Sequence, residues 1–223
     1  MINAFFRAWL GRMLLSALFV VGGSSALASG LESLDGFLKA TRSGRASFTQ
    51  VVTSPARDGQ AVRSKASSGR FEFQRPGRFR FTYLKPFEQT IVADGQTLWL
   101  HDVDLNQVTA RKQEQALGST PAALIAAAAD LKALQAEFDL TGAADRDGLQ
   151  WVLATPRTRE GQLQAVRVGF RVTEKGAELA ALDILDSFGQ RSVLTFTGFE
   201  PNPVLAPGLF QFRPPAGADV IRP

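Results

Sequence analysis

His101 is the only histidine of the chain, and Asp102 follows it directly. A base and its orienting carboxylate must face each other, but neighbours on a strand point to opposite faces of the sheet. No Gly-x-Ser-x-Gly elbow supplies a nucleophile beside them, so a structural role is the simpler reading of His101. Asp102, Asp104 and Asn106 have the spacing of the first three ligands of a calcium loop. The glycine that such a loop needs at its sharp turn is Gln107, however, and its closing bidentate glutamate is Gln113. That stretch reads as a polar turn between strands. Cysteine is absent, which removes thiol nucleophiles and disulfides and, with a single histidine, leaves no zinc set. Neither a P-loop nor a Gly-x-Gly-x-x-Gly turn occurs, so nucleotides have no recognisable cradle. A hydrolase would need a hidden pair of acids, and no aromatic sugar platform points to one. What remains is apolar surface: 17 phenylalanines against one tyrosine. Phenylalanine offers area with no polar group to satisfy, which suits an ordinary β core and a hydrocarbon cavity alike.

The 223 residues begin with what reads as a secretory leader over 1–28. Arg7 and Arg12 form its positive region, Met13 to Val21 its apolar run, and Ala26-Leu27-Ala28 a small-x-small cleavage site. The mature chain would start at Ser29 and form one domain over 29–223. The leader holds two of the 25 basic residues and none of the 21 acidic ones. The exported part is therefore almost neutral, without the electrostatic footprint of a nucleic-acid binder. Arg70, Arg75, Arg78 and Arg80 do interleave with phenylalanine, but strand alternation accounts for that pattern, with arginine on the wet face. Without a cysteine at the cleavage site the chain carries no lipid anchor of its own, and the periplasm is its expected location.

The elements that must position these residues centre on Gly69–Val108. Phe71 and Phe73 alternate with Glu72 and Gln74, and Phe79, Phe81 and Tyr83 with Arg78, Arg80 and Thr82. That period of two marks antiparallel strands with one apolar face. Arg75-Pro76-Gly77 is the turn between them. Asp94-Gly95 is a second hairpin signal, between strands expected at Thr90–Ala93 and Thr97–His101. A helix capped by Ser29 precedes the sheet, with Leu31, Leu34 and Leu38 on its apolar stripe. Arg45–Thr53 is a first strand, and Ser54–Ser68 reads as a turn region or frayed hairpin. Gln107–Lys112 is a further strand. Ser119-Thr120-Pro121 opens a helical segment that runs to Gln135. Strands are expected again at Phe138–Leu140, Leu149–Thr155, Gln162–Val172, Glu178–Leu185 and Arg191–Phe199, and a terminal one at Leu209–Phe212. About eleven regularly spaced strands with two helical segments suggest a barrel or strongly curled sheet whose mouth the helices cover.

Several of these stretches resemble the LolA family of periplasmic lipoprotein carriers. They are Ala46-Ser47-Phe48-Thr49-Gln50, the run Arg75–Pro86 with Ala93–Val108, Ser119-Thr120-Pro121 with Leu124-Ile125, and Phe210–Pro215 with Gly217 and Val220. The resemblance implies a mainly β fold, an incomplete antiparallel barrel with a helical lid over an apolar cavity. It implies no enzyme and no cofactor or metal, but a monomeric chaperone for the acyl chains of lipoproteins. An ATP-driven transporter of the inner membrane would load it, and an outer-membrane receptor would unload it. On the same resemblance Phe48, Phe71, Phe73, Phe81, Trp99, Leu124, Ile125 and Phe196 line the cavity. Arg75 latches the lid, and Phe79 lies near the opening used in transfer. Phe81 stands where tryptophan is common in the family. The alternative on this fold is a carrier or sensor of another lipid or glycolipid. The acylated receptor of the same fold is disfavoured by the missing cysteine.

Overall fold

The computed structural model describes residues 25–56, 61–113, 128–158 and 162–223, with side chains from Ser29 onward. The described strands are β1 (Ser43–Ser54), β2 (Arg63–Gln74), β3 (Arg78–Lys85), β4 (Gln89–Asp94), β5 (Thr97–Asp102) and β6 (Gln107–Lys112), then β7 (Phe138–Arg146), β8 (Leu149–Pro156), β9 (Leu163–Thr173), β10 (Gly176–Asp186), β11 (Arg191–Pro201) and β12 (Asp219–Ile221). Helix α1 (Ser25–Ala40) precedes β1, and a short α2 (Leu131–Glu137) leads into β7.

All twelve strands join one sheet in the order β12-β6-β5-β4-β3-β2-β1-β11-β10-β9-β8-β7. Its two edges, β12 and β7, do not pair, so the sheet is open. The period-two pattern does most of this work. Register sets Phe71 opposite Phe81 and Phe73 opposite Phe79, and Phe48 opposite Phe196. These rings therefore share one face, the inner one. Leu182, Val168 and Val152 continue that face through β10, β9 and β8. Glycine is required where the backbone is crowded, as at Gly69. A Cβ at Gly69 would drive into the Thr82 carbonyl oxygen beside the bulge between β2 and β3.

Helix α1 closes the inner face. Leu34, Phe37 and Leu38 are buried, and the Phe37 ring reaches Phe73 of β2 at 6.3 Å and Phe170 of β9 at 5.4 Å. One side chain thus bridges the two halves of the sheet. Asn202 fixes the exit from the helix. Its Oδ1 accepts from the backbone N–H of Arg42 and of Ser43, while its Nδ2 donates to the Ala40 carbonyl.

Several boundaries differ from the sequence reading. The helix starts at Ser25, so Ser29 lies inside it and is not its cap; Ala26, Leu27 and Ala28 are good helix formers that continue the first turns. The rest of the expected leader lies outside the described residues, as does most of the segment opened by Ser119. The polar stretch before Gly69 is partly strand, because Arg63–Ser68 pair with Thr49–Ser54 of β1. Cross-strand partners there override poor intrinsic preference. Leu209–Phe212 is not a strand but part of a tail that runs over the outer face. Arg80 donates to the Leu209 carbonyl at 3.2 Å, and Phe212 packs on Trp99 and His101. The tail then ends in β12, parallel to β6.

A second outer-face cluster centres on Asp183, which is 3% exposed. Burial pushes its carboxyl pKa up, but two hydrogen bonds from Arg191, at 2.8 Å each, and the nearby charges of Arg191 and Arg167 outweigh that and hold it below the ordinary range. A depressed carboxylate stabilises the fold above its unfolded value and ceases to do so as pH falls through the folded one. Acid melts should therefore show wild-type stability falling below about pH 4, with a shallower fall in Asp183→Asn. At neutral pH that variant should lose about 1–3 kcal/mol. Parallel pH profiles for the two proteins would exclude this role for Asp183.

Candidate functional site

The inner face is not fully filled. Toward the end where β1 and β3 finish, a cavity of about 340 Å³ remains. Its apolar wall is Phe81, Ile91, Leu163, Leu182, Ile184 and Leu194. These come from β3, β4, β9, β10 and β11, brought together because each strand sends alternate side chains inward. The size suits one small ligand or part of a larger one.

At the mouth the lining turns polar, through Gln50, Tyr83, Gln162, Asp186, Gln190 and Ser192. Three of these are linked. The Tyr83 hydroxyl donates to Gln50 Oε1 at 2.9 Å, and Gln50 Nε2 donates to Ser192 Oγ at 2.7 Å. Burial pushes the Tyr83 phenol up to about 12, so it stays protonated near neutrality. Asp186 Oδ1 accepts from the backbone N–H of Phe188 and of Gln190, which shapes the turn between β10 and β11. Beyond this collar the rim carries exposed apolar side chains: Phe87, Leu105 and Phe188. Arg63 and Lys65 adjoin it.

The opposite end of the sheet holds Arg75, which is 6% exposed. Its guanidinium donates to the Leu38 carbonyl at 3.0 Å and, through the other terminal nitrogen, to the Phe37 carbonyl at 3.5 Å. It also lies 5.0 Å from the centre of the Phe37 ring and 5.6 Å from that of Phe73. A cation at the last turn of α1 meets the negative end of the helix dipole. Burial, and then repulsion from Arg42, lower its pKa to about 10, which still leaves it charged at neutral pH. Among the described residues the Nε of Arg75 is buried without a hydrogen-bond partner. Beside it Gln113, also buried, donates to the Gly77 carbonyl at 2.6 Å and accepts from the Gly95 N–H at 2.9 Å. Gln113 thereby ties the Arg75 turn to the point where the chain leaves β6.

The expected site residues divide into three groups. Phe81 lines the cavity. Phe48, Phe71, Phe73 and Phe196 lie on the inner face but behind the cavity wall, packed on one another and 2% exposed or less. Trp99 requires correction: it is on the outer face. Alternation along β5 sends Leu98 inward to the core and Trp99 outward, where its indole donates to Asp94 and its ring meets Phe212. Phe79, expected near the transfer opening, is fully buried on the inner face at the Arg75 end, opposite Phe73. Leu124 and Ile125 lie outside the described residues. Gln50 entered the sequence reading only as part of a resemblance and Gln113 only as a failed calcium ligand. Ser192 had no sequence signal at all, because its role rests on a neighbour 142 residues away.

The profile of the family described as outer membrane lipoprotein carrier protein LolA matches residues 39–213. This chain belongs to the LolA family. Among relatives of LolA type, the outer-membrane lipoprotein carrier protein of Albidiferax ferrireducens is 70% identical over 195 residues, covering 87% of this chain and 92% of that one. The protein of the same name from Methylibium petroleiphilum is 53% identical, covering 95% and 98%. The fold is shared more widely than the LolA sequences. An uncharacterised conserved protein of Thermus thermophilus superposes with a TM-score of 0.50 at 13% identity, covering 88% of this chain and 98% of that one.

Proposed function

We propose that this protein carries lipoproteins through the periplasm by sheltering their acyl chains against the inner face of its open sheet. The observation that carries the reading is the cavity walled by Phe81, Ile91, Leu163, Leu182, Ile184 and Leu194 in a chain of the LolA family. Residues 1–28 act as an export leader on this reading, and 29–223 act as one carrier unit, a monomer. An acyl chain of roughly 16 carbons gives up on the order of 10 kcal/mol on leaving a bilayer, at about 0.8 kcal/mol per CH₂. A carrier must offset most of this with dry surface, and an outside energy source such as an ATP-driven transporter must supply extraction. An outer-membrane receptor then takes the cargo. The cavity is small for several chains at once, so loading requires α1 to shift.

Displacement of a bound apolar fluorophore by a triacylated lipopeptide tests the reading. Stoichiometric displacement is expected. Ile91→Glu places a carboxylate in the apolar wall at a side chain that is only half-buried. Desolvating that charge costs several kcal/mol, so affinity should fall at least about 100-fold with the fold intact. A protein that binds neither probe is not a lipid carrier.

A further inference from the structure

The polar collar poses a question that an acyl-chain cavity by itself does not answer. Gln50, Tyr83 and Ser192 line the neck, at the outer edge of the apolar wall. Together they carry four polar hydrogens: one on each hydroxyl and two on the amide. Their two mutual hydrogen bonds use two of these. Whichever way the Gln50 amide is turned, two hydrogens remain with no protein acceptor among the described residues, on groups that line the cavity. Among the described residues no lysine or arginine lines this cavity, and the carboxylate that does, Asp186, has its Oδ1 engaged with its own turn. Arg63 and Lys65 are exposed and stand further out. Ser192 stands level with Val52 and Ile184, and Gln50 with Leu194, so these three uncharged groups bring free donors to the outer edge of the hydrocarbon wall.

An amphiphile whose tails fill the cavity brings its own neutral acceptors to that level, namely the ester or amide carbonyls at the root of each acyl chain. We infer that Gln50, Tyr83 and Ser192 form a carbonyl-reading collar that recognises the acyl linkage of the cargo and sets the depth to which its chains enter. This rests on the carrier reading above and names what that same site recognises beyond chain length. Apolar packing alone is indifferent to how a chain is attached. Donors that must be satisfied when the neck is dried are not.

The test compares, on protein purified from cells expressing the full chain, a triacylated cysteinyl lipopeptide with an analogue of the same chain lengths whose glyceryl esters are replaced by ethers. Both displace the apolar fluorophore if the carrier reading holds. Wild type should prefer the ester form about tenfold, the effect of roughly two neutral hydrogen bonds. The triple variant Gln50→Leu, Tyr83→Phe, Ser192→Ala should bind both forms alike while keeping its affinity for the ether. Ser192→Ala removes one oxygen from a half-buried side chain, so it tests the same point with little demand on folding. It should cut the preference about threefold. A diacyl phospholipid added as a third probe separates the sources of the carbonyls. If its own ester-to-ether preference matches that of the lipopeptide, the collar reads the linkage whatever the headgroup. If only the lipopeptide shows the preference, the collar reads lipoprotein. Equal binding of ester and ether forms by wild type overturns the collar and leaves the carrier standing. No displacement by either form overturns both.

Discussion

Phe71→Ala is expected to lower the stability of this protein by about 3–5 kcal/mol, the largest loss from any single truncation considered. Phe71 has no exposed surface. It stacks on Phe81 at 4.4 Å and on Phe73 at 5.6 Å, and meets Phe196 of β11 at 5.5 Å. These neighbours sit on strands of a continuous sheet and cannot collapse into the space left behind, so the cavity term adds to the lost transfer energy. Urea melts should show the midpoint falling sharply with an unchanged slope. The same substitution also tests how filled the interior is. If Phe71 instead swings aside to admit cargo, the truncation should cost under 1 kcal/mol and raise affinity for the fluorophore.

Arg75→Leu is the second large effect, and it separates stability from latching. Two charge-assisted hydrogen bonds to the end of α1 are lost, each of about 1.5–3 kcal/mol. A desolvated cation, whose Nε has no partner among the described residues, is removed at the same time. These terms oppose each other, so the melting midpoint should move little. The bias toward the closed arrangement should not survive. A loss of roughly 3 kcal/mol of closure corresponds to about a 100-fold change in the opening equilibrium. Amide exchange at the C-terminal turn of α1 should quicken, lipopeptide should bind up to about 100-fold tighter, and transfer to an outer-membrane receptor should slow accordingly. Arg75→Lys should fall between, because an ammonium cannot span both the Leu38 and Phe37 carbonyls as a guanidinium does. Unchanged exchange and unchanged affinity in Arg75→Leu would show that Arg75 is a packing residue and nothing more.

Arg75 also shows where the two kinds of information meet. The resemblance pointed to it as a latch on a helical lid. The described contacts are with the last turn of α1, and the connection to the segment after β6 runs through Gln113. Nothing in the local sequence around Gln113 distinguishes a buried clamp from a surface amide. Its partners, Gly77 and Gly95, are turn residues of two other hairpins.

By itself the sequence determined most of the strands from β1 to β6 and from β8 to β11, though not the first half of β2, because period-two alternation and the Pro-Gly and Asp-Gly turns are local signals. It also determined which phenylalanines share the inner face, since alternation fixes the side of each residue once one is placed. Only the tertiary structure decided which of them wall a cavity and which are filler behind it. Depth beneath a surface depends on every strand laid alongside, and no window of residues contains that. Trp99 failed for a related reason: an aromatic residue on a two-sided sheet suits either face when a tail covers the outer one, and the tail comes more than a hundred residues later. The collar was invisible for the most basic reason. Gln50, Tyr83 and Ser192 are three ordinary polar residues until the register of β1 against β11, and the placement of β3 one strand beyond β2, sets them within hydrogen-bonding distance.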